Sequence, residues 1–563
     1  MIGGIFGAVG KKGKDAHKGK NSGKNNNGNH ILSVEEKEKR KKKEELWEQK
    51  KYTVQAHVID IITGKSVVVL NEKEAMENDI RQGYRVHVKT VSGGDKVCIV
   101  DLSKEMVSKG EIGVFGDVAH ALGIEEGDIV QLVKMERPAS IEYIRKKLDG
   151  EGLEQAQVRS IIHDLMDGRL SEAELAVWIS AMYIRGMGED EVVSLTNSIV
   201  ESGDQLELGV KPVADKHCIG GVAGNRTTMV MVPLIAAGGV YIPKTSSRAI
   251  TSAAGTADTM EVLAPVDFSV DEMKRIVLKT KGAVAWGGGM NLASADDRLI
   301  KIRNPLSLDP RGTLLASILA KKKSVGAHYV VVDIPLGRGV KVMNMEDAEA
   351  LGADFIKIGK HLDMTIEGLI TDGSEPVGNG IGPALECRDV MEVLKGGGPA
   401  DLRNKSAMLT GKLFELVGKV KPREGYDVAM NLITSGKAWN KMKDIIGEQG
   451  GDPNLRESDI PIGQHKYTVI SEKEGKISHI DNKAVSRIAR AAGAPKNKGA
   501  GIYLHRLKGD RVKKGDVLYD IYASASPPCT HFIPIPANSS SVSSSSMYAE
   551  HPGISSERYF AAP

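Results

Sequence analysis

Lys244-Thr-Ser-Ser-Arg-Ala-Ile-Thr-Ser-Ala-Ala-Gly-Thr-Ala-Asp-Thr-Met-Glu261 packs hydroxyls, small residues and two cations into one loop ahead of an apolar run. A second Gly-rich loop lies just upstream, Asp215-Lys-His-Cys-Ile-Gly-Gly-Val-Ala-Gly-Asn-Arg-Thr227, and leads into the apolar segment Met229 to Ala237. That segment reads as a helix which Pro233 should kink or end. Backbone N–H groups at a helix start, Gly for close approach and Lys or Arg for charge are a common solution for phosphate. Either loop alone reads equally well as turns and caps. Both together point to a site for two anions.

Outward from these loops the pattern is that of a parallel α/β sheet. From Lys211 on, short buried runs (Val240-Tyr-Ile, Tyr329-Val-Val-Val-Asp333) alternate with helical stretches, Thr313 to Lys323 and Met345 to Leu351. Upstream, helices are expected at Gln155–Met166, at Ser171–Met182 with a capping box Ser171-Glu-Ala-Glu174, and at Asp190–Glu201. Earlier still, Val54–Ile59, Ser66–Leu70 and Tyr84–Lys89 are β-type runs separated by Gly turns. Gly64-Lys65-Ser66 matches the end of a P-loop, but Ile59 stands where that motif needs its first Gly, so a P-loop is rejected. After Gly425, a helix at Met430–Ser435 and β-runs at Lys466–Ile470 and Val517–Tyr522 suggest a mixed subdomain.

The expected architecture is multidomain α/β. It comprises a basic extension (1–51), a small β-rich N-terminal domain (52–134), and a helical domain (135–205, joined by 295–325 from later in the chain). A large α/β phosphate-binding domain (206–425), a C-terminal α+β subdomain (426–523) and a tail (524–563) complete it. Residues 11–30 are Lys, Gly and Asn with almost nothing to bury, and are expected to be disordered. Val34 to Lys51, with Glu36/Arg40 and Glu38/Lys42 at i,i+4, suits a solvated helix, with docking of Lys39–Lys43 on a polyanion as the second reading. From Ser524 on, Pro527-Pro528 and the Ser-rich run Asn538–Ser546 show no period and are expected to be disordered.

Composition sets limits. Lys and Arg total 76 against 73 Asp and Glu in 563 residues, so there is no global electrostatic case for nucleic acid or membrane. Cys98, Cys218, Cys387 and Cys529 are scattered without CxxC spacing, which argues against a zinc ribbon or a disulfide framework and for a reducing cytoplasm. The first ten residues place apolar side chains ahead of the lysines, the reverse of a secretory signal, and no run is long enough to span a bilayer.

Three motifs carry a resemblance to the pyrimidine nucleoside phosphorylase family: Lys216-His-Cys-Ile-Gly-Gly221, Ser246-Ser-Arg248 and Gly255-Thr-Ala-Asp-Thr-Met-Glu261. From about Tyr52 to Ala523 the chain resembles in particular its archaeal AMP phosphorylase branch. The resemblance implies a nucleoside phosphorylase II type fold, with helical and α/β domains facing each other across a cleft that closes on substrates. It also implies a homodimer or higher homo-oligomer, no metal or organic cofactor, and phosphate as co-substrate of AMP. Gly221, the segment Ser247-Arg248-Ala249-Ile250-Thr251-Ser252, Thr256, Ser317 and Lys341 are implied to line the nucleotide site. Lys216, Gly220 and Ser246 are expected around the nucleophilic phosphate. Arg248 and Lys341 are the cations expected to meet a phosphate dianion.

For protonation of the departing base the resemblance assigns Asp309, in Asn304-Pro-Leu-Ser-Leu-Asp-Pro310; an Asp before Pro is otherwise a turn residue. As a general acid it needs burial or a neighbouring carboxylate. Ser317 and Lys321 fall at i,i+4, and Arg303 precedes them, so all three could converge on the base; Lys321 is equally readable as a helix C-terminal charge. His217 reads as a substrate contact or a helix-cap or core histidine, and Cys218 as a small packing residue, since phosphate itself attacks. The reading expected is phosphorolysis of AMP, and of CMP and UMP. A pyrimidine nucleoside phosphorylase stands as the alternative, and a nucleotide- or RNA-binding module with a basic tail as the second.

Overall fold

The computed structural model describes residues 52–306, 308–524 and 559–560. The expectations for 1–51 and for most of the tail lie outside these residues. Two compact units divide the chain, one ending at Glu136 and one beginning at Arg137.

The first unit is a closed six-stranded barrel whose strand order is Thr53–Ile59, Glu111–Phe115, Val67–Asn71, Asp95–Ser103, Arg85–Thr90, Ile129–Lys134. Alternate residues such as Val86, Val88, Cys98, Val100, Ile112 and Val114 fill its interior. Two short helices, Glu72–Glu77 and Gly116–Leu122, accompany the strands of this domain, which the sequence marks as β-rich. At Gly64-Lys65-Ser66 the Thr63 and Gly64 amides donate to the Asp117 carboxylate at 2.6 and 3.0 Å. An internal carboxylate thus holds this turn, in keeping with the rejection of a P-loop.

In the second unit, helices Ser140–Leu148, Gln155–Met166, Glu172–Arg185 and Glu189–Glu201 form a bundle, joined by Ser294–Arg303 and Arg311–Lys323. Ser171 caps the third with the expected box, its hydroxyl accepting from the Glu174 amide while Glu174 accepts from the Ser171 amide. Strands Thr365–Asp372, Tyr329–Leu336 and Ala214–Cys218 run parallel in that order. Ile242–Ser246 and Gly282–Trp286 form a second parallel pair, linked to the first set by a Val213–Tyr241 bridge. Tyr329–Leu336 is buried on both faces: Val330, Val332 and Ile334 pack with the bundle, and Val331 with the helices on the other side.

Several boundaries differ from expectation for identifiable reasons. The run Val240-Tyr-Ile is not itself the strand. The strand is Ile242–Ser246, so the opening residues of the Lys244 loop are sheet, and likewise Asp215–Cys218 is strand rather than loop. Buried Lys244 and Lys216 escaped a reading based on apolar runs because their charges are paired inside the protein. Thr227–Ala237 continues through Pro233 instead of ending there. Residues 227–236 are all buried, and tertiary packing outweighs one lost backbone bond. Met345–His361 runs ten residues past Leu351, with Gly352 inside it because this helix crosses the strand closely at Gly368, where an added Cβ would lie 3.2 Å from the Gly352 Cα.

The C-terminal part is an antiparallel sheet in the order Gly380–Ile381, Gly501–Leu504, Val517–Ala523, His465–Ile470, with helix Asn482–Ala491 packed on it. The helix expected at Met430–Ser435 is Gly425–Thr434. Tyr559–Phe560 pairs antiparallel with Gly368–Leu369, a departure from the disorder expected throughout the tail; backbone pairing needs no side-chain period.

Candidate active site

The strands Ala214–Cys218, Ile242–Ser246 and Tyr329–Leu336 all end in loops at the same carboxyl edge of the parallel sheet, the usual place for a site in such folds. Beneath those loops lies a network of buried charge. Asp215, fully buried, receives Lys322 Nζ at 2.5 Å and Lys244 Nζ at 3.2 Å. Asp333, also fully buried, lies 3.8 Å from Lys216 Nζ and 3.4 Å from Lys405 Nζ, and accepts from the Thr371 hydroxyl at 2.6 Å. Four lysines therefore face two aspartates. Packing holds these lysines in place beside too few carboxylates to match them, a setting in which an anion is favoured. Burial pushes the ammoniums of Lys216 and Lys244 below the usual lysine range, while Asp333 and Asp215 respectively pull them back.

Lys216 also donates to the Thr227 hydroxyl at 2.7 Å, the first residue of the helix after the Gly-rich loop. The expected phosphate ligand thus points to that helix N-terminus. Gly220 and Gly221 both have φ near +100°, at 98° and 97°. At Gly221 an added Cβ would lie 2.9 Å from the Val340 Cα and 3.2 Å from the Lys341 nitrogen, so only Gly lets the Lys341 loop approach. His217 is held well below the usual imidazole range, first by burial and then by the charges of Lys322, Lys244, Lys321 and Lys216. Burial raises the Cys218 thiol to about 11, which suits packing rather than nucleophilic attack.

Ser246 is half-buried at its strand end, and the Ser247–Ser252 loop beyond it folds back on Gly255, where a Cβ would meet the Ser247 oxygen at 2.5 Å. Asp258 fastens it, accepting from the Ala249 and Gly255 amides at 2.7 and 2.8 Å. Arg490 donates to the Ile250 and Ser252 carbonyls, leaving the Ile250 side chain and Thr251 exposed. Thr256 accepts from Arg226 at 3.1 Å; Arg226 also binds the Ala254 carbonyl and Glu386, and so joins the two loops. Arg248 is not the free cation expected. It makes a bidentate pair with Glu261 at 2.7 and 2.6 Å and lies over the Trp286 ring, so a ligand dianion would have to share it.

On the helical side, Lys341 Nζ lies 3.0 Å from Asp309 Oδ2, and Arg303 Nη1 lies 3.7 Å from Asp309 Oδ1. Neither deep burial nor a second carboxylate surrounds Asp309, whose side chain is 37% exposed; its charged neighbours are cations. The same Arg303 approaches the buried Asp296 at 4.0 Å, and Asp296 binds both Ser317 and Lys321 at 2.6 Å. Arg303, Asp309, Ser317, Lys321 and Lys341 therefore form one chain of contacts, with Lys341 reaching the Gly221 loop.

Lys322, Lys405 and Asp296 carry no expectation from sequence, and Asp215, Lys244, Arg226 and Asp333 enter only as members of their segments, without the buried pairings the structure gives them. Charged residues inside otherwise apolar strands and helices, as in Val330-Val-Val-Asp333, were the available signal.

Family models match in register with these elements: the helical bundle domain of the glycosyl transferase family at residues 141–203, its a/b domain at 210–439, and the pyrimidine nucleoside phosphorylase C-terminal domain at 476–532. The chain is 45% identical to an AMP phosphorylase of Thermococcus sibiricus over 83% of its own length and 93% of that protein. It is 44% identical to one from Pyrococcus furiosus (83% and 93%) and 46% identical to one from Thermofilum pendens (82% and 88%). A solved anthranilate phosphoribosyltransferase from Thermus thermophilus aligns over 54% of this chain and 98% of its own at 20% identity, with a TM-score of 0.47.

Proposed function

The chain belongs to the AMP phosphorylase family, and from that premise we propose that it converts AMP and phosphate to adenine and ribose 1,5-bisphosphate, with CMP and UMP as further substrates. The observation that carries this reading in the site is the excess of buried lysine over aspartate beneath two loops rich in backbone N–H groups. The alternatives, a pyrimidine nucleoside phosphorylase or an RNA-binding module, are not favoured by the relatives.

In this reading phosphate sits over Lys216, Gly220, Gly221 and Ser246 and attacks C1′ as the glycosidic bond breaks with oxocarbenium character. Positioning and fixed charge supply most of the acceleration. Arg303, Ser317 and Lys321 face the base. Asp309, paired with Lys341 and Arg303, lacks the burial or second carboxylate that keeps an acid protonated. It gives the base a proton only once the substrate phosphate has drawn Lys341 away and the carboxylate has taken up a proton from solvent. The 5′-phosphate lies between the Ser247–Ser252 loop and Lys341, with Gly221 and Thr256 closing the pocket. The nucleotide phosphate and Asp309 then compete for the same Lys341 ammonium, 3.0 Å from the carboxylate. The reaction changes no oxidation state and, as proposed, uses phosphate as co-substrate without metal or organic cofactor.

A cytoplasmic homodimer or higher homo-oligomer completes the proposal. Free Cys98, Cys218 and Cys387 support a reducing compartment. Exposed Val177, Tyr183 and Ile184 on one bundle helix support association through it. Among the described residues no helix is long and apolar enough to cross a membrane. The test is turnover of AMP, CMP, UMP and the free nucleosides with and without phosphate. Phosphate-dependent release of base from nucleotides in preference to nucleosides is expected; a preference for thymidine or uridine would overturn the reading.

A further inference from the structure

Asp296 has no part in the reaction described above, yet three groups assigned to the base converge on it. It sits in the first turn of helix Ser294–Arg303 with a side chain 2% exposed. Its Oδ2 takes the Ser317 hydroxyl at 2.6 Å and Lys321 Nζ at 2.6 Å, while Arg303 Nη2 lies 4.0 Å from Oδ1. Arg303 is steadied in turn by a 3.2 Å bond to the Thr313 hydroxyl.

The consequence follows from counting donors. A serine hydroxyl has one proton, and a carboxylate only accepts, so Ser317 spends its proton on Asp296 and presents lone pairs to anything beside it. The Lys321 ammonium gives one proton to Asp296 and keeps two to donate; its side chain is 36% exposed. One turn of helix therefore displays an acceptor next to a donor.

We propose that Asp296 is a positioning residue that fixes Ser317 as acceptor and Lys321 as donor, so that the site selects bases carrying an N–H donor beside an acceptor; this rests on the reading of the cleft as a nucleotide phosphorylase site. Adenine offers its 6-amino group beside N1, cytosine its 4-amino group beside N3, and uracil its N3–H beside O4. Unsubstituted purine offers no such donor. Loss of Asp296 frees the Ser317 proton and the Lys321 head, and the pattern blurs.

The test compares kcat/KM for AMP with that for purine ribonucleoside 5′-monophosphate, in the wild type and in Asp296→Asn, Ser317→Ala, Lys321→Gln and the Asp296→Asn/Lys321→Gln pair. Taking the ratio between variants cancels the intrinsic lability of each leaving group. The AMP-to-purine ratio is expected to fall at least about tenfold in Ser317→Ala, the value of roughly one well-placed hydrogen bond. Asp296→Asn should lower the same ratio and raise KM for AMP more than it lowers kcat. The double variant should be no worse than Lys321→Gln alone. If Asp296→Asn is poorly folded because the lysine is left unpaired, the double variant removes that charge, and it should show the same lowered ratio. An unchanged ratio in Ser317→Ala and in a folded Asp296 variant, with AMP still turned over, overturns the proposal alone. A wild type inactive on every nucleotide with phosphate overturns the function reading and this proposal with it.

Discussion

The two halves of the site hold their lysines in different ways. Under the sheet loops, Lys216, Lys244 and Lys322 are almost wholly buried and each is tied to a fully buried aspartate in strand Ala214–Cys218 or Tyr329–Leu336. By contrast, Lys341 is 49% exposed and its partner Asp309 37% exposed. Buried ions cannot leave their partners without a large desolvation cost, so the first group builds a fixed electrostatic floor. An exposed pair is worth little and exchanges readily with a competing anion. On the proposed reading, the first region serves architecture and the nucleophile together, and the other can trade its partner for a substrate phosphate at small cost.

The largest expected effect lies in the fixed group. Asp215→Ala leaves Lys244 and Lys322 buried without their counter-ion, and should cost about 3–5 kcal/mol of stability, read by denaturant unfolding. A loss below about 1 kcal/mol would show that the floor is not rigidly paired. Next comes Asp309→Asn. It keeps shape but cannot give up a proton, so kcat for AMP should fall about 10²-fold or more with melting temperature nearly unchanged. A wild-type kcat and pH profile would make Asp309 a turn residue holding Lys341.

Smaller still in structural terms is Lys341→Ala, which should raise KM for AMP strongly while changing residual adenosine turnover and stability little. Equal losses on nucleotide and nucleoside would remove its proposed contact with the 5′-phosphate. The smallest effect concerns Glu261, held down to about 2 chiefly by the Arg248 hydrogen bonds. A carboxylate depressed in the folded state adds stability that is present above its unfolded value of about 4.3 and lost as pH falls toward 2. Glu261→Gln should flatten the stability curve across that acid window, by less than about 1 kcal/mol given the exposure of the pair. An unaltered slope would mean the pair contributes nothing.

Local signals in the sequence were enough for much of this. The helix Gln155–Met166 and the Ser171 capping box are written in short-range patterning, and the alternation around Tyr329–Leu336 marks the parallel sheet. Both candidate loops stand out in sequence because Gly and hydroxyl residues cluster there. What was hidden is long-range pairing. Lys244 and Asp215 are 29 positions apart, and Lys322 and Asp215 are separated by 107. Nothing local announces that these charges neutralise one another, so the strands Ala214–Cys218 and Ile242–Ser246 look like loop in sequence. Arg248 shows the same limit: its cationic character is plain, but its capture by Glu261 depends on the turn made by Asp258 and Gly255. The closed barrel of the first unit is likewise a matter of strand order, with Val67–Asn71 seated between Glu111–Phe115 and Asp95–Ser103, which short runs do not encode.

The central claim is that phosphate, not water, cleaves a nucleotide. Incubating the protein with AMP and ¹⁸O-labelled phosphate, and following products by ³¹P NMR and mass spectrometry, tests it directly. The account predicts that adenine appears only when phosphate is present, and that the sugar carries two phosphates, with the label in the one on C1. Release of adenine without phosphate, yielding ribose 5-phosphate and no label on the sugar, would contradict it.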